Sequence, residues 1–270
     1  MKQPTTACAS DFDRTTLLTP VPGSPGEFSV DLDDGWSSLV GVHGGYMCAI
    51  AVCGAEASAP DRSVRTLTTS FLRTAQVGPA TLSVREVRSG RTMTTMVADL
   101  VQDGRHLITS RLTLLTDQTG VEWAAPVALD LPPLAECVEM DAGRVSHFDR
   151  VDGLLDPGSL PFSGRARAMV RGYVRPLEGR PVDSSWLAMA TDWFPPPAFV
   201  RLEPPTGGVS IDLTTHIHRP HVVLEADEWL TGAFEITTSG GGLAVEHGHI
   251  ATLDGVLVAE SFQTRLTTTG

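Results

Sequence analysis

The chain has four cysteines, Cys8, Cys48, Cys53 and Cys137, and none of them forms a Cys-x-x-Cys pair. That excludes a disulfide scaffold and a structural zinc site, both of which need partners at short spacings. Reduced thiols in a cytoplasmic protein are expected instead. No stretch approaches the ~18 consecutive apolar residues of a membrane helix. The N-terminal run also lacks the apolar core of a secretory signal, so no membrane attachment is expected. Positive charge is scarce: 20 Lys and Arg stand against 32 Asp and Glu, a net charge of −12. Binding along nucleic acid needs clustered cations and is excluded on that balance, whereas a small anionic ligand can still be held by a few local arginines. A Gly-x-Ser-x-Gly elbow is missing as well, which disfavours a serine hydrolase.

The composition is otherwise ordinary for a globular chain of 270 residues, 41% hydrophobic and 19% charged. Phe28–Leu32 alternates as a half-buried strand does. Glycine-rich sequence through His43-Gly44-Gly45 then leads into a helix over Tyr46–Ala57, apolar nearly all round and so expected to be buried. After Pro60 come four strand-like runs, 64–73, 80–88, 92–102 and 107–115, with turns at Ser89-Gly90 and Asp103-Gly104. Prolines at 126, 132, 133 and 157 interrupt residues 117–160, which read as a linker between a unit at 1–116 and one at 161–270.

The second unit repeats the plan. A strand at 165–175 precedes Asp183-Ser184-Ser185, a helix-capping signal, and a helix from Trp186 to Phe194 that Pro195-Pro196-Pro197 ends. Strands follow at 209–218, 229–238, 242–253 and 255–268. Leu67-Thr68-Thr69 lies over Leu213-Thr214-Thr215 and Arg73 over Arg219, while Arg85-Glu86-Val87 is set against Phe234-Glu235-Ile236. The offset drifts only from 146 to 151 residues, so the chain reads as a tandem duplication. Opposite Thr66 in the first copy the second carries a carboxylate, Asp212.

A doubled unit of one buried helix and an antiparallel sheet resembles the double hotdog fold, an α+β architecture in which each curved sheet wraps a helix. The second half is similar to bacterial acyl-CoA thioesterase II at Ile211-Asp212, His218-Arg219-Pro220, Glu235 with Thr237, and Asp254–Ala259 followed by Gln263; Gly44-Gly45 and Phe71-Leu72-Arg73 fit the same family. That resemblance implies hydrolysis of acyl-CoA by a water that an Asp, a Thr and a Gln position, carried here onto Asp212, Thr237 and Gln263. It implies no cofactor, no metal, and a dimer of double hotdogs.

Each candidate also has a plainer reading. Asp212 alone is a strand-edge carboxylate; Thr237 and Gln263 alone are ordinary strand residues. His43 either hydrogen-bonds the substrate or the base, or is a structural histidine beside a turn. Gly44 and Gly45 either let the backbone approach a ligand, with helix-start N–H groups facing an oxyanion, or let the helix pack closely. Arg73 and Arg219, at equivalent strand ends, either grip CoA phosphates or make surface contacts. Asp212, His216 and His218 share a strand-face spacing that a metal site would use, but lack a further ligand. His147 has no evident partner. The Trp193–Phe199 stretch is expected to border an acyl tunnel. Two further functions compete: a hotdog hydratase or dehydratase, disfavoured because the buried helix holds no Asp or Asn, and a non-catalytic acyl-binding protein.

Overall fold

The structure, a computed structural model, describes residues 10–268 apart from 118–119, 122, 124, 128, 141–144 and 202–206; Cys8 lies outside the described residues. The first half comprises β1 (Glu27–Leu32), α1 (Gly44–Ser58), β2 (Ser63–Phe71), β3 (Gly78–Ser89), β4 (Met93–Gln102) and β5 (Arg105–Leu115). The second comprises β6 (Val151–Leu155), β7 (Ala168–Pro176), α2 (Ser184–Ala190), β8 (Gly207–Ile217), β9 (Leu230–Gly240), β10 (Leu243–Thr252) and β11 (Leu257–Thr268). These strands form one 13-stranded antiparallel sheet ordered β1-β3-β4-β5-β2-β8-β11-β10-β9-β7-β6, with short strands Thr19–Pro20 and Val138–Glu139 at its edges. The halves join at β2 and β8, where Asp212 pairs with Ser70 and His216 with Thr66. The fold is a double hotdog.

Outward from that seam the strand order of one half mirrors the other, and the irregularities repeat too. A register shift at Val64/Thr66 recurs at Ser210/Asp212, one at Glu86/Arg88 recurs at Ile236/Ser239, and one at Leu100/Val101 recurs at Ile250/Ala251. A β-bulge inserts an unpaired residue and turns the side chains after it, so three shared bulges are a shared construction plan. Registers also refine one landmark: Glu86 pairs with Met96 as Ile236 pairs with Glu246, so Glu86 corresponds to Ile236 rather than to Glu235.

Helix α1 starts where His43, in an extended conformation, accepts the Tyr46 N–H on its ring nitrogen Nδ1. Ten of its 15 residues are buried, because the sheet covers one side and α2 the other. Helix α2 is capped by Asp183, whose carboxylate accepts from Trp186 N–H at 2.9 Å, and all seven of its residues are buried. It stops at Ala190, short of the expected Phe194, and Thr191 to Trp193 continue as a turn into the prolines. Within 117–160, the expected linker, β6 already pairs with β7 from Val151 to Leu155. Among the described residues no helix is long and apolar enough to cross a membrane.

Candidate active site

The beginning of α1 and the end of α2 meet behind the seam. Helix crossing there is close because α1 opens on two glycines. A Cβ on Gly45 would stand 2.6 Å from the Met189 carbonyl oxygen and 2.9 Å from Asp192 Cβ; one on Gly44 would stand 2.8 Å from Asp192 Oδ2. Asp192 itself lies just past α2, with its side chain 8% exposed. The Gly45 N–H donates to its Oδ2 at 2.8 Å, placing the carboxylate at the positive end of a 15-residue helix. Its other oxygen, Oδ1, accepts from Gln263 Nε2 at 2.8 Å.

Gln263 comes from β11 and is buried. Its second N–H goes to Ser210 Oγ at 2.7 Å, so one amide bridges a carboxylate and a hydroxyl. Arg265, two residues on and facing the same way, donates to Gln263 Oε1 at 2.7 Å, to Ser210 Oγ at 3.1 Å and to Glu246 Oε2 at 2.6 Å. Burial works against the Arg265 charge, but Glu246 and Asp192 outweigh it and hold its pKa above the ordinary value. Ser210 is half-buried and the Asp192 side chain 8% exposed, whereas Gln263, Arg265 and Glu246 are buried, so these two are the cluster's outermost residues.

His43 serves this arrangement from behind. Its Nδ1 accepts from Tyr46 N–H, so the proton sits on Nε2, which donates to the Asp192 backbone carbonyl at 2.9 Å and lies 3.5 Å from Oδ2. Burial lowers its pKa, with Asp192 opposing, and the imidazole is neutral. His147 stacks on it with ring centroids 4.2 Å apart, a partner that sequence spacing does not disclose.

Of the expected trio, the structure brings only Gln263 to this cluster. Asp212 pairs with Thr264, while the adjacent Leu213 pairs with Gln263; neighbouring strand positions point to opposite faces, so Asp212 faces away from Gln263. Thr237 is exposed at a register shift in β9, two strands from β11 and therefore about 10 Å off in the sheet. The structure therefore does not bring Asp212 and Thr237 together with Gln263; the carboxylate and hydroxyl that meet it are those of Asp192 and Ser210. Gly44 and Gly45 do stand at the site, but the Gly45 N–H is given to Asp192 and the Tyr46 N–H to His43. Neither N–H is left for an oxyanion. Arg73 is exposed and donates to the His106 carbonyl at 3.1 Å, near the site end of β2. Arg219 is exposed nine residues beyond Ser210, roughly 25–30 Å away along the strand, and does not share the site. Among the described residues no three or more His, Cys, Asp or Glu side chains are arranged to hold a metal ion, His216 and His218 included.

Cross-strand registers locate the first-half counterparts of the four strand residues of the cluster. Leu67 pairs with Leu112 as Leu213 pairs with Gln263; Val64 pairs with Leu114 as Ser210 pairs with Arg265; Met96 pairs with Leu112 as Glu246 pairs with Gln263. Ser210, Gln263, Arg265 and Glu246 therefore stand where the first half has Val64, Leu112, Leu114 and Met96, all buried. Polar residues at positions that are apolar in the sister copy are the signal that could have found Ser210, Arg265 and Glu246.

Two sequence models cover most of the chain: an acyl-CoA thioesterase N-terminal domain at residues 32–116 and an acyl-CoA thioesterase C-terminal domain at residues 126–267. Among solved structures, a hotdog-fold protein of unknown function from Alicyclobacillus acidocaldarius is 22% identical with a TM-score of 0.86, covering 97% of this chain and 100% of its own. A putative thioesterase II from Thermobifida fusca is 23% identical with a TM-score of 0.81, covering 96% and 98%. An acyl-CoA thioesterase II from Mycobacterium marinum is 22% identical with a TM-score of 0.75, again covering 96% and 98%. At such identities the likeness is one of fold. No curated protein matches the chain.

Proposed function

The chain belongs to the acyl-CoA thioesterase family, and we propose that it hydrolyses acyl-CoA to a free acid and CoA by direct attack of water, with Asp192 as the base. One observation carries this reading: the Gln263 amide ties the Asp192 carboxylate to the Ser210 hydroxyl at the edge of a buried network. Each carboxylate oxygen accepts one fixed bond, from Gly45 or Gln263, and keeps lone-pair capacity for a water. A water that gives one proton to Asp192 and accepts the Ser210 O–H has its remaining lone pair aimed away from the protein, at a thioester carbon. As the C–O bond forms, Asp192 takes the proton. When the tetrahedral intermediate collapses, the C–S bond breaks and the electron pair leaves with sulfur. A thiol of pKa about 8.5, by analogy with cysteine, needs little acid help to depart. Gln263 does not touch the water in this scheme, since both of its N–H groups are already given; it is a positioning residue. The Gly44 N–H, which has no hydrogen-bond acceptor among the described residues and belongs to the same helix start as the Gly45 N–H, is the backbone donor assigned in this scheme to the developing oxyanion.

Release of free CoA, followed with a thiol-reactive dye over a graded series of acyl-CoAs, tests the proposal. Asp192→Asn keeps the size and most of the hydrogen-bonding capacity of the side chain while removing the base. A loss of ~10²–10⁴-fold is expected from general-base catalysis. Turnover unchanged in that variant would remove Asp192 from the chemistry.

A further inference from the structure

The proposed reaction needs Ser210 to present a proton rather than a lone pair to the water, and nothing in a serine by itself decides that. A hydroxyl has one donor and two acceptor sites, and its hydrogen rotates to suit its neighbours. Here the neighbours decide. Ser210 Oγ receives Gln263 Nε2–H at 2.7 Å and Arg265 Nη1–H at 3.1 Å. Neither donor group can take a proton back, so both lone pairs are filled and the O–H must point elsewhere. Among the described residues no acceptor takes it, which leaves the solvent side.

The same guanidinium fixes the amide. Arg265 Nη2–H donates to Gln263 Oε1 at 2.7 Å, and an arginine has donors only. Were the amide reversed, its NH2 would face the guanidinium and its oxygen the Asp192 carboxylate, with two bonds lost and two repulsions gained. Arg265 is in turn anchored by Glu246 at 2.6 Å, and both side chains are almost fully buried, 4% and 3% exposed. A buried ion pair is weak evidence for stability, since desolvation takes back most of the attraction. The sister copy makes the point in this chain: Met96 and Leu114 fill the same register positions and pack in its core. The fold does not require the ions.

We propose that Arg265, held by Glu246, is a positioning residue of the active site, setting the Gln263 amide and the Ser210 hydroxyl so that Ser210 donates its proton to the attacking water. The inference rests on the hydrolytic reading of the Asp192 site. It adds a second layer to that site, a charged pair that touches neither substrate nor water and acts through Gln263 and Ser210, with the guanidinium also 3.6 Å from Asp192 Oδ1.

The test transplants the sister copy's solution. Glu246→Met with Arg265→Leu removes both charges of that pair together, so neither partner is left facing an empty site, although Asp192 loses the guanidinium 3.6 Å from its Oδ1; thermal unfolding verifies that the variant folds. The expected result is a kcat at least about tenfold lower with KM within about twofold, because the substrate contacts are untouched while the nucleophile is misoriented. Ser210→Ala is then made in both backgrounds. In the wild type it lowers kcat; in the double variant it lowers it little further, because the hydroxyl has already lost its direction. The Gln263 side-chain amide resonances, followed by NMR, supply a readout independent of turnover: they shift and exchange faster with solvent in the double variant. Full kcat in a folded double variant, with an undiminished Ser210→Ala effect and unmoved Gln263 resonances, overturns the inference while leaving hydrolysis standing. A wild-type protein that releases CoA from no acyl thioester removes the hydrolytic reading, and the positioning role falls with it.

Discussion

Gly44 and Gly45 sit next to each other at the start of α1, and replacing each by alanine should separate catalysis from stability. A methyl at Gly44 meets Asp192 Oδ2 at 2.8 Å and the Phe71 ring at 2.9 Å, both ends of side chains that can move. The helix gains up to ~1 kcal/mol from losing a glycine, which offsets the cost of nudging two side chains. Stability in Gly44→Ala should therefore stay within about 1 kcal/mol of wild type. The carboxylate cannot stay where it is, and a displacement near 1 Å at a reacting group can cost ~10²-fold in rate. A methyl at Gly45 meets the Met189 carbonyl oxygen at 2.6 Å, which is backbone of α2 and yields only if the helices part. Overpacking of that kind costs ~1–3 kcal/mol, more than the propensity gain returns. At roughly 2–4 °C per kcal/mol for a chain of this size, Gly45→Ala should melt several degrees low, and Gly44→Ala close to wild type. Differential scanning fluorimetry and CoA release on the same preparations give both numbers. Wild-type kcat in Gly44→Ala would refute the assignment of Asp192 as base, and an unshifted melt in Gly45→Ala would refute the closeness of the helix crossing.

Two further outcomes follow from the same geometry. Asp212→Asn and Thr237→Val, the changes that the sequence alone would single out, should leave kcat/KM within about twofold of wild type, because one faces away from Gln263 and the other is exposed two strands off; loss of turnover in either returns it to the site. Stability should also fall in mild acid: burial lowers the pKa of His43, and that of His147 further, from an ordinary 6.5, so below that pH the unfolded chain takes up protons that the folded one refuses. The slope approaches ~1.4 kcal/mol per pH unit for each histidine until its folded pKa is reached. Melting temperatures between pH 8 and 5 should flatten in His147→Gln, and an unchanged pH dependence in that variant would show that the stacked pair is not its source.

The duplication, the two buried helices and the strand sequence were legible because each leaves a local trace: alternation, a capping residue, an Asp-Gly turn. Gln263, expected from the family resemblance, is the member of the expected trio that meets Asp192 and Ser210. That Asp212 does not meet Gln263 has a physical reason. Asp212 stands out because its counterpart Thr66 is not acidic, but the face it occupies depends on the bulge at Ser210/Asp212, which no residue type announces. With Ile211 as the extra residue, Ser210 turns to the Gln263 side and Asp212 to the other. Asp192 lies beyond α2, which is seven residues long where α1 has 15, so the repeat offers no partner against which its charge would show.

That difference in the helices also explains why one chain carries one such cluster rather than two. The pseudo-twofold relation of the halves creates a second crossing, where the start of α2 meets the end of α1 beside Val64, the counterpart of Ser210. There Ser184 Oγ donates to the Val64 carbonyl at 3.1 Å and the Val64 N–H donates to Glu56 at 2.9 Å. The acid at that end is used up on backbone, and behind it stand Met96, Leu112 and Leu114, which offer no donor. At the working end, the amide that holds the acid comes from α1 of the first half, while the acid and its glutamine come from the second. Neither half contains the site alone. A single hotdog cut from this chain would lose either the Gly45 N–H or the carboxylate it holds, and the tandem arrangement is therefore part of the Asp192 cluster as well as of the fold.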